Sequence, residues 1–404
     1  TTRTSSIIPT IGEEQNIVLD LKGYSLTVSS QITNNGTLKI IDSNENQTGK
    51  LISTVSSAYI VNNYGTLELN GGGIISNNAT LYNNSTGTIK IDGANITISN
   101  VTNGINNNGG TIEMNSGSYT FNTTQSSSSA IYGKGSLVIN GGTINAQNKT
   151  TSAINLSQGM SFIQNGGEIN SVNTGIRGDS ATITINAGKI TSNSDGISVY
   201  NTVKANINGG EIYGKNNGIY CATYSSGILN ISGGKITSDK NGLSLSNYYS
   251  GTLGVTSNIT GGIIEGGTYG IYVTSGTITL GTNDGTISLE NPEITGGTYG
   301  VSISVGNAPL EVNYYDGVLK GKTGGYSGNF TLIPDKYYIN TENIDETYVS
   351  TLQVADNFLK IGEKEYNSFS DAFQDVSNGE IIELLNTTRT SSIIPTIGEE
   401  QNIV

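Results

Sequence analysis

The sequence predicts an all-β protein, a parallel β-helix (β-solenoid) of about 13 coils with three short strands in each. The first observation is the composition: Gly accounts for 55 of 404 residues, and Asn, Ser and Thr are also abundant. The second is that the apolar residues, mostly Ile, Val, Leu and Tyr, stand in short alternating runs, as strands require. The third is a phrase that recurs along the chain and predicts stacked, equivalent coils.

The recurring phrase is an alternating apolar run, a Gly-Gly turn and a second alternating run rich in β-branched residues. When the copies between Gly72 and Gly262 are aligned on the second small residue of the turn, they lie 21 to 28 residues apart. The unequal steps indicate that loops vary in length while the strands keep their register. The clearest copies are LELNGGGIIS (67–76), LVINGGTINA (137–146), FIQNGGEINS (162–171), ANINGGEIYG (205–214) and LNISGGKITS (229–238).

A third short strand, which often begins with Gly-Ile, lies between these phrases, as in NGIN (103–106), DGIS (195–198) and YGIY (269–272). One coil of about 21 to 31 residues is therefore predicted to hold three strands, with Gly and Asn at the corners because they tolerate positive φ. A propeller blade needs about 40 to 50 residues, which is twice this period, and a sandwich needs no repeat.

The point at which the repeat stops divides the chain into three regions. Residues 1–323 carry the coils and are predicted to form the β-helix. Residues 324–366 are richer in Tyr and in charge, and we interpret them as a connector or small β-module between repeats. Residues 367–404 contain a predicted cap helix followed by the first residues of a further repeat, with a boundary between modules near Asp356.

A short amphipathic helix is predicted near residues 368–377. Ser368 and Asp371 resemble a capping box at its start, and Gly379 is placed to end it. We expect this helix to cover the exposed strand edges of the coil that follows, and so to lie at the contact between repeats. The apolar residues on one face of the helix are Phe369, Ala372, Phe373 and Val376.

The sequence of residues 387–404, TTRTSSIIPTIGEEQNIV, is identical to that of residues 1–18. We call this stretch the lead-in segment. Its duplication predicts a tandem array with a period of 386 residues (387 − 1), of which this chain is one period and the start of the next. The first copy is then expected to follow a cap helix of its own.

Three motifs resemble those of known proteins: YNSFSDAF (366–373), GEIIELL (379–385) and NIVLDLKGYSLT (16–27). With the coil phrases, they resemble the pectate-lyase-like right-handed parallel β-helix, and more narrowly the repetitive β-helical surface proteins of Firmicutes and related gut bacteria. The segment at 313–328 is similar to the closing coil of that group. The resemblance implies a right-handed fold and a location on the bacterial cell surface, and it implies no mechanism.

Composition excludes several classes of protein. The net charge of −13, with basic residues scattered, makes nucleic acid and anionic membranes poor partners. A single Cys excludes an internal disulfide, and no stretch of this segment is apolar enough to span a membrane. We expect no cofactor and no metal.

Catalysis is not expected, although β-helix proteins of this kind include polysaccharide lyases and hydrolases. The chain has no His, no Asp-Asp pair and no Arg-Ile-Lys sequence. Arg177 and Asp179 are the nearest approach to lyase chemistry, and a solvated turn is the favoured interpretation. Asp195 and Asp284 are interpreted as turn residues rather than Ca²⁺ ligands, and Cys221 as a buried, inert thiol.

Tyrosine is the residue type with binding potential, because exposed rings on a rod can stack on sugars or on a second rod. The chain has 22 Tyr, and in each adjacent pair one ring of an extended segment must point outward. The candidate surface residues are Tyr248, Tyr249, Tyr314, Tyr315, Tyr337 and Tyr338.

These observations favour an extracellular, non-enzymatic repeat protein that forms a long rod or surface filament, with neighbouring repeats of the same protein as its partners. The alternative is a bacterial adhesin that binds cell-wall or host glycans, or host proteins, through exposed loops and Tyr. A polysaccharide lyase or hydrolase is the third hypothesis.

Overall fold

The computed structural model describes residues 2–385, apart from 6, 7, 9, 57, 158, 224–226, 248–253, 289, 306–308, 332 and 334–336. It is 59% strand and 2% helix and forms a parallel β-solenoid of about 13 turns, which confirms the predicted fold class. The turns contribute strands to three ladders, and each strand between the two ends pairs in parallel with its equivalents in the turns before and after.

The first ladder consists of the strands that follow the Gly-Gly turns. Its members are Thr2–Ser5, Ser25–Val28, Lys50–Ser53, Gly73–Ser76, Asn95–Ser99, Ser118–Thr123, Thr143–Asn148, Glu168–Ser171, Lys189–Ser192, Glu211–Gly214, Lys235–Ser238, Ile263–Gly266, Glu293–Gly296 and Val318–Gly321.

The second ladder holds the strands that often begin with Gly-Ile. Its members are Ile32–Asn34, Tyr59–Asn63, Thr80–Asn83, Asn103–Met114, Ser129–Ile139, Ser152–Leu156, Thr174–Asp179, Asp195–Tyr200, Asn217–Thr223, Asn241–Asn247, Tyr269–Val273, Tyr299–Ile303 and Gly324–Ser327.

The third ladder precedes the Gly-Gly turns and shares the two long strands Asn103–Met114 and Ser129–Ile139 with the second. Its other members are Asn16–Asp20, Thr37–Ile41, Thr66–Asn70, Thr88–Ile91, Ser161–Gln164, Thr182–Ile185, Lys204–Ile207, Ile228–Ile231, Thr256–Ile259, Gly276–Leu280 and Leu310–Tyr314.

The core lies inside the turns and runs along the axis. Side chains alternate between the two faces of a strand, so each strand points one set of residues inward and the other outward. Because the turns stack in register, equivalent inward residues pack on one another. In the first ladder, for example, fully buried isoleucines stack at four successive turns: Ile169, Ile190, Ile212 and Ile236.

The Gly-Gly corners between the third and first ladders need glycine for two reasons. Gly210 has a φ of +81° and Gly234 a φ of +83°, in the left-handed region that L side chains rarely adopt. A Cβ at Gly210 would also lie 2.9 Å from the carbonyl oxygen of Gly188 in the turn before. The repeated small residue thus lets successive corners stack closely.

A ladder of asparagine amides runs through the interior along four successive second-ladder strands; Asn34, Asn63 and Asn83 end their strands, and Asn107 lies within Asn103–Met114. Asn34, Asn63, Asn83 and Asn107 are fully buried. The side-chain nitrogen of each donates to the amide oxygen of the next, at 2.7 to 2.8 Å. Additional bonds to backbone carbonyls, such as Asn83 to Gly87, satisfy polar groups where the chain bends. Burying these amides is tolerated because every amide is bonded to a neighbour in the ladder, although the Asn34 oxygen, at the end of the ladder, is buried without a donor.

An antiparallel hairpin follows the last turn. Tyr337–Ile344 pairs with Thr347–Val354, and the second of these strands pairs antiparallel with Val318–Gly321. The hairpin therefore covers the last edge of the first ladder. Within the region predicted as a connector, Gly324–Ser327 still belongs to the second ladder and the hairpin forms the β-module.

A small unit lies beyond the hairpin, and we call it the helical cap unit (residues 356–385). Its sheet has the order Lys364–Tyr366, Leu359–Ile361, Ile382–Leu384, with antiparallel pairing. Helix α1 spans Phe369–Asp375, inside the predicted range, and Ser368 accepts a hydrogen bond from the backbone N–H of Asp371. The unit has a hydrophobic core separate from that of the solenoid.

The interior amide ladder predicts a large cost for breaking it. We expect Asn83→Ala to lower the free energy of unfolding by about 3 kcal/mol, because it leaves the buried amides of Asn63 and Asn107 each short of a partner. Chemical denaturation followed by circular dichroism measures this change.

The matched control is Asn165→Ala, in an exposed ladder of the same residue type. Asn165 donates to Asn140 and accepts from Asn186 at the surface, where water replaces a lost partner. Its loss should cost less than about 1 kcal/mol. Equal destabilisation by the two variants would contradict the role given to the interior ladder.

Candidate functional site

A polar and aromatic patch lies on the outer face of the second ladder, about midway along the solenoid. The Arg177 guanidinium lies over the Tyr200 ring, 4.8 Å from its centroid. The Tyr220 ring meets that of Tyr200 edge to face, at 6.4 Å between centroids. We call these three residues, with Asp179 and Asn201, the Arg177–Tyr200 patch.

The register of the ladder builds this patch. Arg177 pairs with Ser198, which in turn pairs with Tyr220, so these outward side chains form one column. Tyr200 lies two residues beyond Ser198 on the same face of the strand, beside the column, and there the guanidinium reaches its ring. Planar groups from successive turns are thereby held side by side.

Polar groups complete the edge of the patch. The Asn201 amide nitrogen donates to Oδ1 of Asp179 at 2.6 Å, and the Ser198 hydroxyl donates to Oδ2 of Asp195 at 3.2 Å. Guanidinium, carboxylate, amide and phenol groups beside an aromatic face are the set that recognises sugar hydroxyls or a charged ligand by hydrogen bonding and stacking.

A second outward feature is a trough of about 890 Å³ along the Gly-Gly corners. Glycines such as Gly188 and Gly210 form its floor, and Glu168, Lys189, Glu211 and Lys235 stand on its side. The four charges follow one another in register, and the Lys189 ammonium lies 3.5 Å from the Glu211 carboxylate. Because the signs alternate, the charges cancel along the axis.

The carboxylates singled out in the sequence have hydrogen-bond partners. Asp195 accepts from Asn217 and Ser198, and burial raises its pKa against these two bonds. Asp284 accepts from Thr286 and Thr282, and these bonds lower its pKa. Asp284 lies in a bend between strands, but the prediction of Asp195 as a turn residue is wrong, because Asp195 begins strand Asp195–Tyr200 and bonds to Asn217 in the next turn. Over the residues that the structure describes, no three His, Cys, Asp or Glu side chains are grouped to hold a metal ion.

Cys221 is buried, as predicted, and burial raises the pKa of its thiol well above the usual range. The thiol is therefore held neutral among apolar neighbours, and a neutral thiol is a poor nucleophile.

Five of the six predicted surface tyrosines divide into three groups. Tyr248 and Tyr249 lie outside the described residues. Tyr338 is 43% exposed, whereas Tyr315 and Tyr337 are half-buried, with the Tyr337 hydroxyl donating to the Gly285 carbonyl.

The prediction for Tyr314 as a surface residue is wrong. Tyr314 is fully buried because it pairs with the inward residue Leu280, and its hydroxyl donates to the Gly317 carbonyl at 2.8 Å. Within the adjacent pair, the ring of Tyr315 is the one that points outward, which follows from strand alternation.

The predicted cap-helix residues pack mostly within the helical cap unit. Ala372 and Val376 are buried against Leu359, and Phe369 packs on the same core. Phe373 is half-buried, with its ring 4.7 Å from that of Phe369. In this arrangement Ala372 and Val376 are covered by their own unit and are not available to contact another repeat.

Comparison with models of protein families, with curated proteins and with solved structures returned no match. Among the described residues, no helix has the length and apolar character needed to cross a membrane. The fold and the side-chain geometry therefore carry the functional argument.

The prediction that Arg177 and Asp179 lie in a solvated turn is wrong, because both belong to strand Thr174–Asp179. Sequence reasoning missed the patch that they form with Tyr200, and it missed the alternating charges of the trough. The charges of the trough could have been predicted, because the residue after each turn alternates between acid and base in the sequence. These residues are Glu168, Lys189, Glu211 and Lys235. The patch could not be predicted, because it depends on the side-chain directions of residues that belong to three different turns.

The raised pKa of Asp195 predicts a pH-dependent stability difference. A carboxyl whose pKa is raised in the folded state lowers the stability of the fold when it is ionised. This loss of stability shrinks as the pH falls through the raised pKa, and it is gone below the ordinary pKa of 3.8. We therefore expect Asp195→Asn, which is neutral at every pH, to melt higher than the parent at pH 7, with a difference that shrinks toward pH 3.5. Thermal melts over this pH range measure it.

Asp284→Asn is the matched control, because the pKa of Asp284 is lowered and the sign reverses. This variant should melt below the parent at pH 7, and its deficit should shrink as the pH falls through the lowered pKa. A lower melting temperature for Asp195→Asn at neutral pH would contradict the burial argument.

Proposed function

We propose that this protein is a structural, non-enzymatic component of an extracellular rod or cell-surface filament built from tandem units of this kind. The observation that carries the proposal is the unbroken stacking of three ladders over about 13 turns. Hydrogen bonds between all successive turns run along the axis, so bending or stretching the solenoid strains many of them together.

Stacked repeats suit a protein whose useful property is length. Each turn contacts only its neighbours, so adding turns or whole units adds length with little change to the existing contacts. The lead-in segment, repeated after 386 residues, supports successive units joined end to end. The resemblance to repetitive β-helical surface proteins of Firmicutes supports placing such a rod on a bacterial cell surface.

The outer surface supports a role without catalysis. In the described part of the chain, Asp179, Asp195 and Asp284 each accept hydrogen bonds from amides or hydroxyls. The carboxylate of Glu211, in the trough, lies 3.5 Å from the Lys189 ammonium. With no His in the chain and a buried Cys221, the usual nucleophile and general-base combinations are lacking.

Electron microscopy of the native protein tests the rod. We expect straight, stiff particles in which each solenoid contributes about 60 Å, from about 13 turns at about 4.8 Å each. A regular axial repeat should mark successive units. Isolated globular particles from the native source would contradict the proposal.

The Arg177–Tyr200 patch favours an adhesin as the second candidate. A stacked guanidinium and two half-buried phenol rings on the outer face of the second ladder provide a platform for a sugar ring. In this alternative, the rod presents the patch away from the cell to cell-wall or host glycans.

A glycan array with the 404-residue chain, followed by titration of any glycan it binds, tests the adhesin. Arg177→Ala and Tyr200→Ala are each expected to weaken binding by about tenfold, through loss of the cation–π and stacking contacts. Tyr82→Ala is the matched control, since Tyr82 stacks with Tyr59 on the same ladder but far from the patch. Absence of binding, or equal loss in all three variants, would count against this role.

A further inference from the structure

The first turn of the solenoid leaves an apolar opening of about 480 Å³, which we call the N-terminal opening. Residues that line it include Ile8, Ile11, Ile17, Leu19, Leu26 and Val28. Equivalent apolar residues are much more exposed in the first turn than in the next one. Ile17 is 41% exposed, whereas its register partner Leu38 is 4% exposed and buried by the turns on both sides of it.

The edge of strand Asn16–Asp20 is also open at this end. Asn16–Asp20 pairs with Thr37–Ile41 on one side. Within the described residues, no strand pairs with its other edge. An apolar opening bordered by a free parallel edge is a template for a further strand.

The sequence identifies one segment that is joined to this end. Residues 387–404 repeat residues 1–18, so the second lead-in segment is preceded directly by the helical cap unit. Strand Ile382–Leu384 ends four residues before Thr388, the copy of Thr2 (388 − 384).

A similar spacing, longer by one residue, occurs one turn later in the solenoid. Strand Asn16–Asp20 ends five residues before Ser25, the register partner of Thr2 (25 − 20). Two connections therefore have the same length to within one residue. One leads from Ile382–Leu384 to the copy of Thr2, and the other leads from a third-ladder strand to the next first-ladder strand. This spacing places Ile382–Leu384 in the third ladder, one turn ahead of Asn16–Asp20.

The helical cap unit has the matching surface. Ile382–Leu384 is an edge strand of its sheet and pairs with Leu359–Ile361 alone among the described strands. Leu384 is 72% exposed and Ile381 is 52% exposed. Leu384 shares its face of the strand with Ile382, which packs against the core that contains α1. If this strand pairs through its free edge with the first turn of the solenoid, Leu384 points toward the solenoid interior. Helix α1 then lies on the same side of the strand as Leu384.

We propose that a second copy of the helical cap unit, joined directly before residue 1 as this one is joined before residue 387, closes the N-terminal opening. Strand Ile382–Leu384 of that copy pairs in parallel with Asn16–Asp20, and Leu384 enters the opening beside Ile17 and Leu19. The inference rests on the proposed function, because it makes this strand addition the joint between successive units of the rod.

The test adds residues 356–386 in front of residue 1 of the full chain. Hydrogen exchange at the amides of Asn16–Asp20 and the melting temperature are compared with and without the addition. We expect exchange at these amides to slow by at least about tenfold, because a paired edge must open before it exchanges. We also expect the melting temperature to rise.

Two variants of the added copy make the test specific. Leu384→Asp should abolish both gains, because it places a charge in the apolar opening. Glu363→Gln, in the exposed turn between two cap strands, should retain them. Unchanged exchange at Asn16–Asp20, or gains that survive Leu384→Asp, would overturn the joint. Electron microscopy separates this inference from the proposed function. If rods are seen but exchange at Asn16–Asp20 does not slow, the proposed function stands and the proposed joint is wrong.

Discussion

Hydrogen bonding between successive turns, in register and in parallel, is the constraint on which the rest of this structure depends. A strand has no local partner within its own turn, so it is stable only when the turns before and after present an equivalent strand at about 4.8 Å. Equivalent residues must therefore lie over one another, whatever the loops between them do. The side chains follow: the column of Ile169, Ile190, Ile212 and Ile236 exists because the backbone beneath it repeats.

Stacking identical positions at this spacing rewards some side chains and penalises others. Buried columns accept aliphatic groups, and they accept amides when each amide bonds to the next, as Asn63 and Asn83 do. Charges of one sign in a column would repel, so bases alternate with acids, as in the column of Lys39, Glu68 and Lys90. The low share of charged residues, 13%, fits a surface made mainly of stacked Thr, Ser and Asn.

The periodicity of the sequence was sufficient to predict the fold, because the constraint acts at every turn and leaves its mark in each copy of the phrase. The short helix was also predictable, since Ser368 and the apolar spacing are local signals. Side-chain placement across turns was not. Tyr314 and Tyr315 could not be assigned to the inside or the outside without the strand bounds, and the pairing of Arg177 with Tyr200 depends on the register between two turns.

A rod held together by stacking is vulnerable at its two ends, and the ends of this one differ. At the far end, Thr347–Val354 reverses direction and pairs antiparallel with the last first-ladder strand, which stops further parallel addition to that edge. At the near end, Ile17 and Leu19 line an opening, and among the described residues strand Asn16–Asp20 pairs on one edge only. One end therefore terminates stacking and the other can continue it. That polarity is what a filament of successive units requires, because it lets each unit be closed on one side and joined on the other.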